Sequence, residues 1–306
     1  MPEGDTLRRL ADRVAEKYRG ETVRACIFRH PRLALVDLTG RTLESVDATG
    51  KHLLCRFSGG LTMHLHLLMQ GRVHLSAQFA APEHRRRFEL SFDSGVLTGV
   101  DIPLLHVLET KRESDFVGHL GPDLCGAYDH RAAVARLETV PQMHLSAALL
   151  DQRVIAGFGN IYAVETPFIC GISPFATVGS LTDVEPIVSI GAALIRTNAA
   201  RGPQNTTGRQ LDRSTHWVLS GRTRSCQVCG TSLRRLNGDE TPWRRRTAWC
   251  PACQPAEAAT VDVNRAKRLM ALHPARHLVD FDDGSLVADT ATAVTTRQNR
   301  RIRTQW

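Results

Sequence analysis

The sequence predicts an α+β protein of several domains: an N-terminal helix, an antiparallel β-domain, a helical domain and a small metal-binding β-hairpin. Three observations predict this class. Short β-rich segments separated by turns fill residues 21 to about 101, helical periodicity begins near residue 130, and two Cys-x₂-Cys pairs follow after residue 225. The 306 residues are enough for two or three such domains.

Residues 5–18 are predicted to form an amphipathic helix. Apolar residues recur at spacings of three and four from Leu7 to Tyr18, charged residues stand between them, and Gly20 ends the pattern. Pro2 and Glu3 lie directly before this helix. If Met1 is removed, which a small second residue permits, Pro2 becomes a free secondary amine at the N-terminus.

An N-terminal proline next to a glutamate suits covalent catalysis. An α-amino group titrates near pKa ~8, so a useful fraction is unprotonated at neutral pH. Such an amine attacks a carbonyl or acetal carbon to form an imine, and the carboxyl of Glu3 is placed for acid–base work. The alternative is structural, because proline and glutamate are both common in a first helical turn. The rest of the chain favours catalysis.

Residues 21 to about 101 are predicted to form an antiparallel sandwich or barrel, between which periodicity does not choose. The segments are short, β-rich, partly alternating and separated mostly by glycines. They are Thr22–Phe28, Leu43–Asp47, His52–Phe57, Leu61–Leu67, Arg72–Leu75, Arg87–Phe92 and Val96–Asp101. Residues 103–130 are interpreted as connecting material.

Three features of this half suggest contacts to a ligand. Lys51, at the entry to a strand, is either a solvated turn residue or a phosphate or leaving-group contact. The turn formed by Leu68, Met69 and Gln70 suits a tip that wedges into a base stack, with ordinary strand packing as the alternative. His119 stands among turn residues and is either solvated or a DNA contact.

From about residue 130 the pattern is helical, with helices predicted over 131–139, 145–152 and 184–197. Gly157-Phe158-Gly159-Asn160 opens a further helix that runs to Cys170, which gives a helix–turn–helix arrangement. Glycines allow a close backbone approach, and a helix start exposes N–H groups suited to phosphate. Asn160 suits a helix N-cap or a phosphate donor.

Cysteine spacing predicts a structural zinc site. Cys226, Cys229, Cys250 and Cys253 follow the pattern C-x₂-C-x₂₀-C-x₂-C, which indicates four thiolate ligands to one zinc ion. All four positions of the metal are then filled, so zinc is a scaffold rather than a catalyst. The isolated cysteines are interpreted as reduced core residues; they are Cys26, Cys55, Cys125 and Cys170.

The charge distribution predicts a polyanionic partner. The formal net charge is +8, and between Arg201 and Cys250 ten arginines stand against three acidic residues, a local charge of +7. Nucleic acid is the first interpretation and an acidic membrane surface the second. No apolar run approaches the ~20 residues that span a bilayer, and the N-terminus has no signal-type segment. A cytoplasmic protein is therefore expected.

Four motifs, in order over residues 1–254, resemble the formamidopyrimidine-DNA glycosylase and endonuclease VIII family. They are Met1-Pro2-Glu3-Gly4, Gly50-Lys51-His52-Leu53-Leu54, the segment from Asp151 to Tyr162, and Thr247 through Gln254. Asp5-Thr6 is closer to the endonuclease VIII branch of actinobacteria. Many members carry a glutamate where Thr6 stands, so the role of that carboxylate is in doubt here.

The resemblance implies four parts. They are a catalytic β-sandwich over residues 1–122, a helix–two-turn–helix DNA-binding domain over 123–222, a four-cysteine zinc finger over 223–254, and a C-terminal extension over 255–306. The extension has no recognised family counterpart. Its composition is compatible with disorder, above all in the basic end Thr290–Trp306. Only the spacing of a few apolar residues hints at a short helix; they are Val263, Ala266, Leu269, Met270 and Leu272.

The resemblance also implies a bifunctional DNA glycosylase and abasic-site lyase of base-excision repair. Pro2 would attack C1′ of a flipped-out damaged nucleotide, Glu3 would serve as acid–base partner, and β- and then δ-elimination would cleave the strand. Lys51 matches the lysine assigned to elimination and phosphate contacts, and Arg245 the zinc-finger arginine beside the lesion. DNA contacts are implied for Asn160, Arg153, Leu68, Met69 and Gln70. A second void-filling loop would fall near residues 109–116, with no residue assigned.

Several functional hypotheses follow. Oxidised pyrimidines are the expected substrates, with oxidised purines as the alternative. A non-catalytic zinc-containing DNA-binding protein would keep the cysteines and arginines but would not need Pro2 and Glu3. An RNA-binding zinc protein is disfavoured, because 6% aromatic residues offer no stacking platform. The family leads us to expect a monomer that binds damaged DNA, duplex or single-stranded, in the bacterial cytoplasm and nucleoid.

Overall fold

The computed structural model describes residues 2–76, 81–209, 215–219 and 224–282. Its α-helices are α1 Gly4–Tyr18, α2 Ser114–Val117, α3 His130–Glu138, α4 Leu145–Leu150, α5 Asn160–Cys170, α6 Glu185–Arg201 and α7 Val263–Leu269. Its strands are β1 Ala25–Phe28, β2 Leu43–Thr49, β3 His52–Phe57, β4 Leu61–His66, β5 Arg72–Ser76, β6 Arg86–Phe92, β7 Gly95–Val100, β8 Leu104–Glu109, β9 Arg234–Leu236 and β10 Thr247–Trp249.

The N-terminal half is a sandwich of two antiparallel four-stranded sheets, ordered β1-β6-β7-β5 and β2-β3-β4-β8. Alternation along β3 turns Leu53, Cys55 and Phe57 to the buried face, and β4 does the same with Met63 and Leu65. The predicted fold class is confirmed, and the choice between sandwich and barrel is settled for the sandwich.

Helix α1 belongs to the sandwich core. The apolar residues at spacings of three and four form one buried stripe, from Leu7 to Tyr18, whose ring stacks on Phe92 with centroids 4.6 Å apart. The predicted amphipathic helix is thereby confirmed. Because its first turn begins at Gly4, with Glu3 as N-cap, the N-terminal segment is held on a rigid element.

Strand β8 contradicts the prediction of connecting material after residue 103. It pairs with β4 in antiparallel register, so that Leu105 lies opposite Leu65. As an edge strand with one neighbour, it tolerates Pro103 at its start, and that proline obscured the pattern. The available signal was the segment Leu104–Leu108, in which every residue except His106 is apolar.

The C-terminal half has a separate helical core. Helix α5 is buried on all sides, since nine of its residues from Tyr162 to Cys170 are buried, so it forms the centre of this core. The cysteine hairpin joins the same cluster through Cys226 and Cys250. The buried core of the N-terminal half ends at Leu105, and the core of the C-terminal half begins at Leu124. The domain boundaries themselves stay predictions. Within the described ranges, no helix is long and apolar enough to cross a bilayer.

Part of the C-terminal extension is folded. Helix α7 appears where apolar spacing hinted at it, and Ala266 and Met270 are buried against the helical core. Asp262 caps the helix, and its own N–H donates to the carbonyl of Cys170 at 3.0 Å. Residues 255–282 therefore differ from the disorder expected of the extension, because they bury apolar side chains. The basic end Thr290–Trp306 lies outside the described residues.

Candidate active site and metal centre

The N-terminal turn meets the glycine turn before α5 at the junction of the two cores. The N–H of Gly4 donates to the carbonyl of Gly157 at 2.8 Å. Glu3 is 0% exposed, and its carboxylate accepts the N–H groups of Gly159 at 2.9 Å and Ile161 at 2.8 Å. Glu3 thus binds the free N–H groups at the start of a helix more than 150 residues away.

This arrangement corrects one interpretation of Asn160. The N-cap of α5 is Gly159, which makes no side-chain capping bond, and Asn160 is the first helical residue. The capping acceptor is the carboxylate of Glu3, supplied by another part of the chain. The N-cap role predicted for Asn160 is therefore wrong, because Gly159 is the N-cap residue and the carboxylate of Glu3 supplies the acceptor that a capping side chain would provide.

Glycine is required where the two turns cross. A Cβ atom at Gly4 would lie 2.8 Å from the Cα of Gly157, which itself has a φ of +95°. A Cβ at Gly159 would lie 2.5 Å from the Cδ of Glu3. These glycines let the carboxylate of Glu3 reach the backbone of the turn.

Replacing Gly159 with alanine is expected to displace Glu3. The added methyl group would overlap the carboxylate carbon, so we expect a loss of about 1–3 kcal/mol of stability together with a loss of Glu3-dependent activity. Gly126→Ala is the matched control, because its Cβ would meet no atom closer than 3.4 Å. Thermal unfolding of both variants checks this, and equal melting temperatures would contradict it.

Two further residues brace the site and were missed in the sequence. Asp123 accepts the N–H of Gly50 at 2.8 Å and of Cys125 at 3.0 Å, which fixes the turn that carries Lys51. Gln152 accepts the N–H of Gly157 at 3.1 Å and shapes the glycine turn. The signal for Asp123 was its place in a Gly-Pro-Asp turn.

The three charged groups of the site influence one another. Burial is the main cause that raises the pKa of Glu3 to about 7, opposed by the N–H of Ile161 and by Lys51. Burial likewise lowers the pKa of Lys51; Glu3 opposes this shift and Arg245 adds to it. The site therefore combines a half-buried proline, a carboxyl able to hold a proton near neutrality, and a lysine whose pKa is lowered by burial.

Asn160 connects the glycine turn to the cysteine hairpin. Its side-chain amide donates to the carbonyl of Arg246 at 2.8 Å. The backbone of Arg245 is fixed by Thr241, whose hydroxyl accepts its N–H at 3.0 Å and donates to its carbonyl at 2.8 Å. The exposed guanidinium of Arg245 is thus presented from a braced loop close to the Lys51 side of the site.

The other predicted DNA contacts lie at the surface. Leu68 is 43% and Met69 70% exposed, and Gln70 is exposed beside them. Leu68 has a φ of 46°, and its N–H donates to Nδ1 of His66 at 3.0 Å, so His66 orders this tip. Arg153 is exposed and paired with Asp151, and His119 is exposed. Their DNA contacts stay predictions.

The segment expected to hold a second void-filling loop folds back onto the sandwich. Glu113 accepts two hydrogen bonds from the guanidinium of Arg56, both at 2.7 Å, and one from Thr62 at 2.6 Å. The ring of Phe116 lies against His64, with centroids 4.9 Å apart. These side chains are thereby engaged with the outer face of the second sheet.

The four paired cysteines gather into one cluster that could hold a metal ion. Their Sγ atoms all lie within 4.8 Å of one another, with separations of 3.4 Å for Cys229–Cys250 and 3.9 Å for Cys226–Cys253. Tetrahedral zinc with Zn–S bonds of ~2.3 Å requires separations near ~3.8 Å, so the donors fit that ion. Gln254 joins the hairpin to the end of α5 through the carbonyl of Ile172 at 2.7 Å.

Known proteins resemble this chain along most of its length. The family model of the formamidopyrimidine-DNA glycosylase N-terminal domain matches residues 1–102. A probable endonuclease 8 2 of Streptomyces coelicolor is 39% identical over 265 residues, covering 84% of this chain and 95% of that relative. The DNA-(apurinic or apyrimidinic site) lyase Nei2 of Mycolicibacterium smegmatis is 38% identical, covering 84% of this chain and all of that relative.

Solved structures share the fold. The Lactococcus lactis Fpg in complex with DNA containing an abasic site matches with a TM-score of 0.70 at 20% identity, covering 83% of this chain and 99% of that chain. Because the identity is only 20%, this match shows a shared fold and nothing further. The identity to the endonuclease 8 relatives, over almost their whole length, shows that the chain belongs to the formamidopyrimidine-DNA glycosylase and endonuclease 8 family.

Proposed function

We propose that this protein is a bifunctional DNA glycosylase and abasic-site lyase of base-excision repair, acting on oxidised bases and on pyrimidines first. The observation that carries the proposal is Glu3, buried next to Pro2 and held by two backbone N–H groups near the charge of Lys51. The relatives named endonuclease 8 and abasic-site lyase support this reaction class. Oxidised purines are the alternative substrates.

The reaction follows from the groups that the site brings together. The unprotonated amine of Pro2 forms a bond to C1′ of the lesion sugar, while the bond from C1′ to the base breaks; the departing base takes up the proton that the bonded amine gives up. Glu3, protonated, donates to the sugar ring oxygen as the ring opens. The resulting imine acidifies C2′–H; loss of that proton expels the 3′ phosphate, and a second elimination expels the 5′ phosphate.

We assign the cations of the site to contacts with the DNA phosphates. Lys51 lies beside Glu3, and we assign it to the phosphate at the lesion and to the elimination steps. Arg245 and Asn160 are assigned to the adjoining backbone, together with Arg153. The strip of ten arginines between Arg201 and Cys250 supports damaged DNA as the partner. We also propose that the protein acts as a monomer in the cytoplasm.

We propose that the four cysteines hold one structural zinc ion. When bound, zinc cross-links the two ends of the hairpin and leaves no open coordination position for chemistry. Its contribution is then to keep the braced loop of Arg245 in place. The hairpin is joined to the core that carries the glycine turn. One rigid unit can therefore present both Arg245 and Asn160 to the DNA.

Replacing Arg245 with alanine is expected to weaken binding to abasic-site DNA by about 10- to 100-fold, the range for a lost hydrogen bond to a charged group. Arg234→Ala, on strand β9 of the same hairpin, is the matched control for the loss of one positive charge. Fluorescence anisotropy at constant salt concentration measures both affinities. Equal affinities for the two variants would show that Arg245 makes no privileged phosphate contact.

Borohydride trapping tests the proposed function. Purified protein, checked by mass for removal of Met1, is incubated with an abasic-site oligonucleotide and with oligonucleotides that carry thymine glycol or 8-oxoguanine. Reduction converts an imine to a stable adduct, which peptide mapping is expected to place on Pro2. The comparisons are Pro2→Gly, which retains an N-terminal amine, and a version with one extra N-terminal residue.

The outcomes separate the alternatives. An adduct that disappears when the N-terminus is extended supports the imine mechanism, and the lesion cleaved fastest identifies the substrate branch. If DNA binds and no adduct forms on any of the three oligonucleotides, the enzymatic proposal is wrong. A non-catalytic zinc-containing DNA-binding protein then becomes the better interpretation.

A further inference from the structure

The described part of the C-terminal extension, residues 255–282, reaches a loop that also contacts the N-terminal helix. After α7 the chain passes through His273 into a short 3₁₀ turn, Pro274–Leu278. His273 is buried, and its Nδ1 accepts the N–H of Ala275 at 3.0 Å. The ring proton therefore stands on Nε2, which donates to the carbonyl of Asn205 at 2.9 Å.

The loop that His273 contacts follows α6 and comprises residues 202–209; we call it the α6 loop. Its turn is shaped by Asn205, whose Oδ1 accepts the N–H groups of Thr207 at 3.0 Å and Gly208 at 2.9 Å. Gly208 has a φ of +73°, and a Cβ atom there would lie 2.6 Å from the Cα of His273. The α6 loop and the extension are thus packed backbone against backbone, at a position that requires glycine.

The α6 loop also holds helix α1. The side-chain amide of Gln204 donates to Oδ1 of Asp5, in the first turn of α1, at 3.0 Å. One turn later, Nη1 of Arg9 donates to the carbonyl of Asn198 at 2.7 Å and to that of Gly202. Helix α1 belongs to the core of the sandwich and α6 to the helical core, so these hydrogen bonds cross the junction between the two.

The groups assigned to the reaction come from both sides of this junction. Pro2, Glu3 and Lys51 belong to the N-terminal half, whereas Asn160 and Arg245 belong to the C-terminal half. Their mutual placement therefore depends on how firmly the two cores are joined. A misplacement of reacting groups by about 1 Å can cost on the order of 10²-fold in rate.

We propose that the extension braces the active site and that His273 is a positioning residue: it fixes the α6 loop and, through that loop, the first turn of α1. The chemistry that is positioned rests on the proposed function, whereas the brace is a property of the fold. The alternative is that the extension only covers apolar surface of the helical core, through Ala266 and Met270. In that case its loss of contact with the α6 loop would leave α1 unchanged.

Amide hydrogen exchange in the full-length protein separates the two interpretations. In His273→Asn, the shorter side chain keeps an oxygen for the N–H of Ala275 but does not reach the carbonyl of Asn205. We expect the amides of residues 4–8 to exchange about tenfold faster, the effect of one lost buried hydrogen bond. His273→Gln, whose amide reaches Asn205, should restore most of the protection. His277→Asn, exposed in the same turn, is the matched control and should change nothing.

A second variant tests the brace from its other end. Gln204→Ala removes the contact with Asp5 and leaves the extension intact, so residues 4–8 should again exchange faster while residues 263–275 do not. Because both changes interrupt one path, the double variant with His273→Asn should exchange no faster than the more affected single variant. Faster exchange confined to the extension and the α6 loop, or full additivity in the double variant, would overturn the brace.

Rates of base removal show whether the brace serves catalysis. At saturating protein concentration, the single-turnover rate of His273→Asn should fall by about tenfold and recover in His273→Gln, because the bound complex holds Pro2 in attack geometry less often. An unchanged rate in a variant that has lost protection would show that His273 does not position the reaction. Absence of a Pro2 adduct from the wild-type protein would instead refute the proposed function, and the exchange measurements would still decide on the brace.

Discussion

Replacing Glu3 with glutamine is expected to slow the removal of an oxidised base by about 10²- to 10⁴-fold, the usual contribution of a positioned general acid. A glutamine cannot donate the proton that opens the sugar ring. An abasic sugar already opens spontaneously to its aldehyde, so cleavage at a preformed abasic site should fall far less. Single-turnover rates on the two substrates measure this difference, and equal losses on both would contradict the assigned role.

The pH dependence of wild-type base removal follows from the same two groups. Glu3 must be protonated, and that fraction falls as the pH rises through about 7. The amine of Pro2 must be unprotonated, and that fraction rises as the pH approaches its ordinary pKa of ~8. The rate should therefore pass through an optimum between these values and decline on both sides.

The pH profile of the Glu3→Gln variant should lose only the decline on the alkaline side of the optimum. Without the carboxyl, its residual rate should rise with pH as the amine deprotonates and should not decline at alkaline pH. DNA affinity measured at each pH controls for changes in binding. A variant whose profile keeps the alkaline decline would show that another group supplies the proton.

Loss of one cysteine ligand is the second large expected effect. In Cys229→Ser, we expect bound zinc to be lost, the melting temperature to fall and the affinity for abasic-site DNA to drop by at least about tenfold, the cost of one lost charge-assisted contact. The reason is that the hairpin carries Arg245, and its cysteines Cys226 and Cys250 belong to the helical core.

Cys26→Ser is the matched control for this prediction. Cys26 is a partly buried cysteine in strand β1 of the sandwich, outside the four-cysteine cluster. Elemental analysis of both purified variants gives the zinc content, and calorimetry and anisotropy give stability and affinity. If Cys229→Ser retains full DNA affinity after losing its metal, the cysteine centre does not position Arg245.

The cysteine cluster and the surroundings of Glu3 differ in how far the sequence alone predicted them. The cysteine cluster was predictable because four ligands at fixed short spacings are a local pattern, and the structure gathers all of them. The sequence also identified Glu3 as a candidate catalytic residue. It did not predict that Glu3 binds the start of α5, because this contact joins residues more than 150 positions apart. The contact of Asp123 with Gly50 joins residues 73 positions apart, whereas Gln152 bonds Gly157 only five positions away and its role was missed although the contact is local.

The sequence by itself determined the amphipathic first helix, the change from strands to helices, the two cysteine pairs and the motif that begins with Pro2. These are properties of spacing along the chain. Only the tertiary structure decided that Leu104–Glu109 closes the second sheet and that Glu3 is buried with a pKa of about 7. Burial and the energy of a charge depend on every group nearby in space, and the order of residues does not state which groups those are.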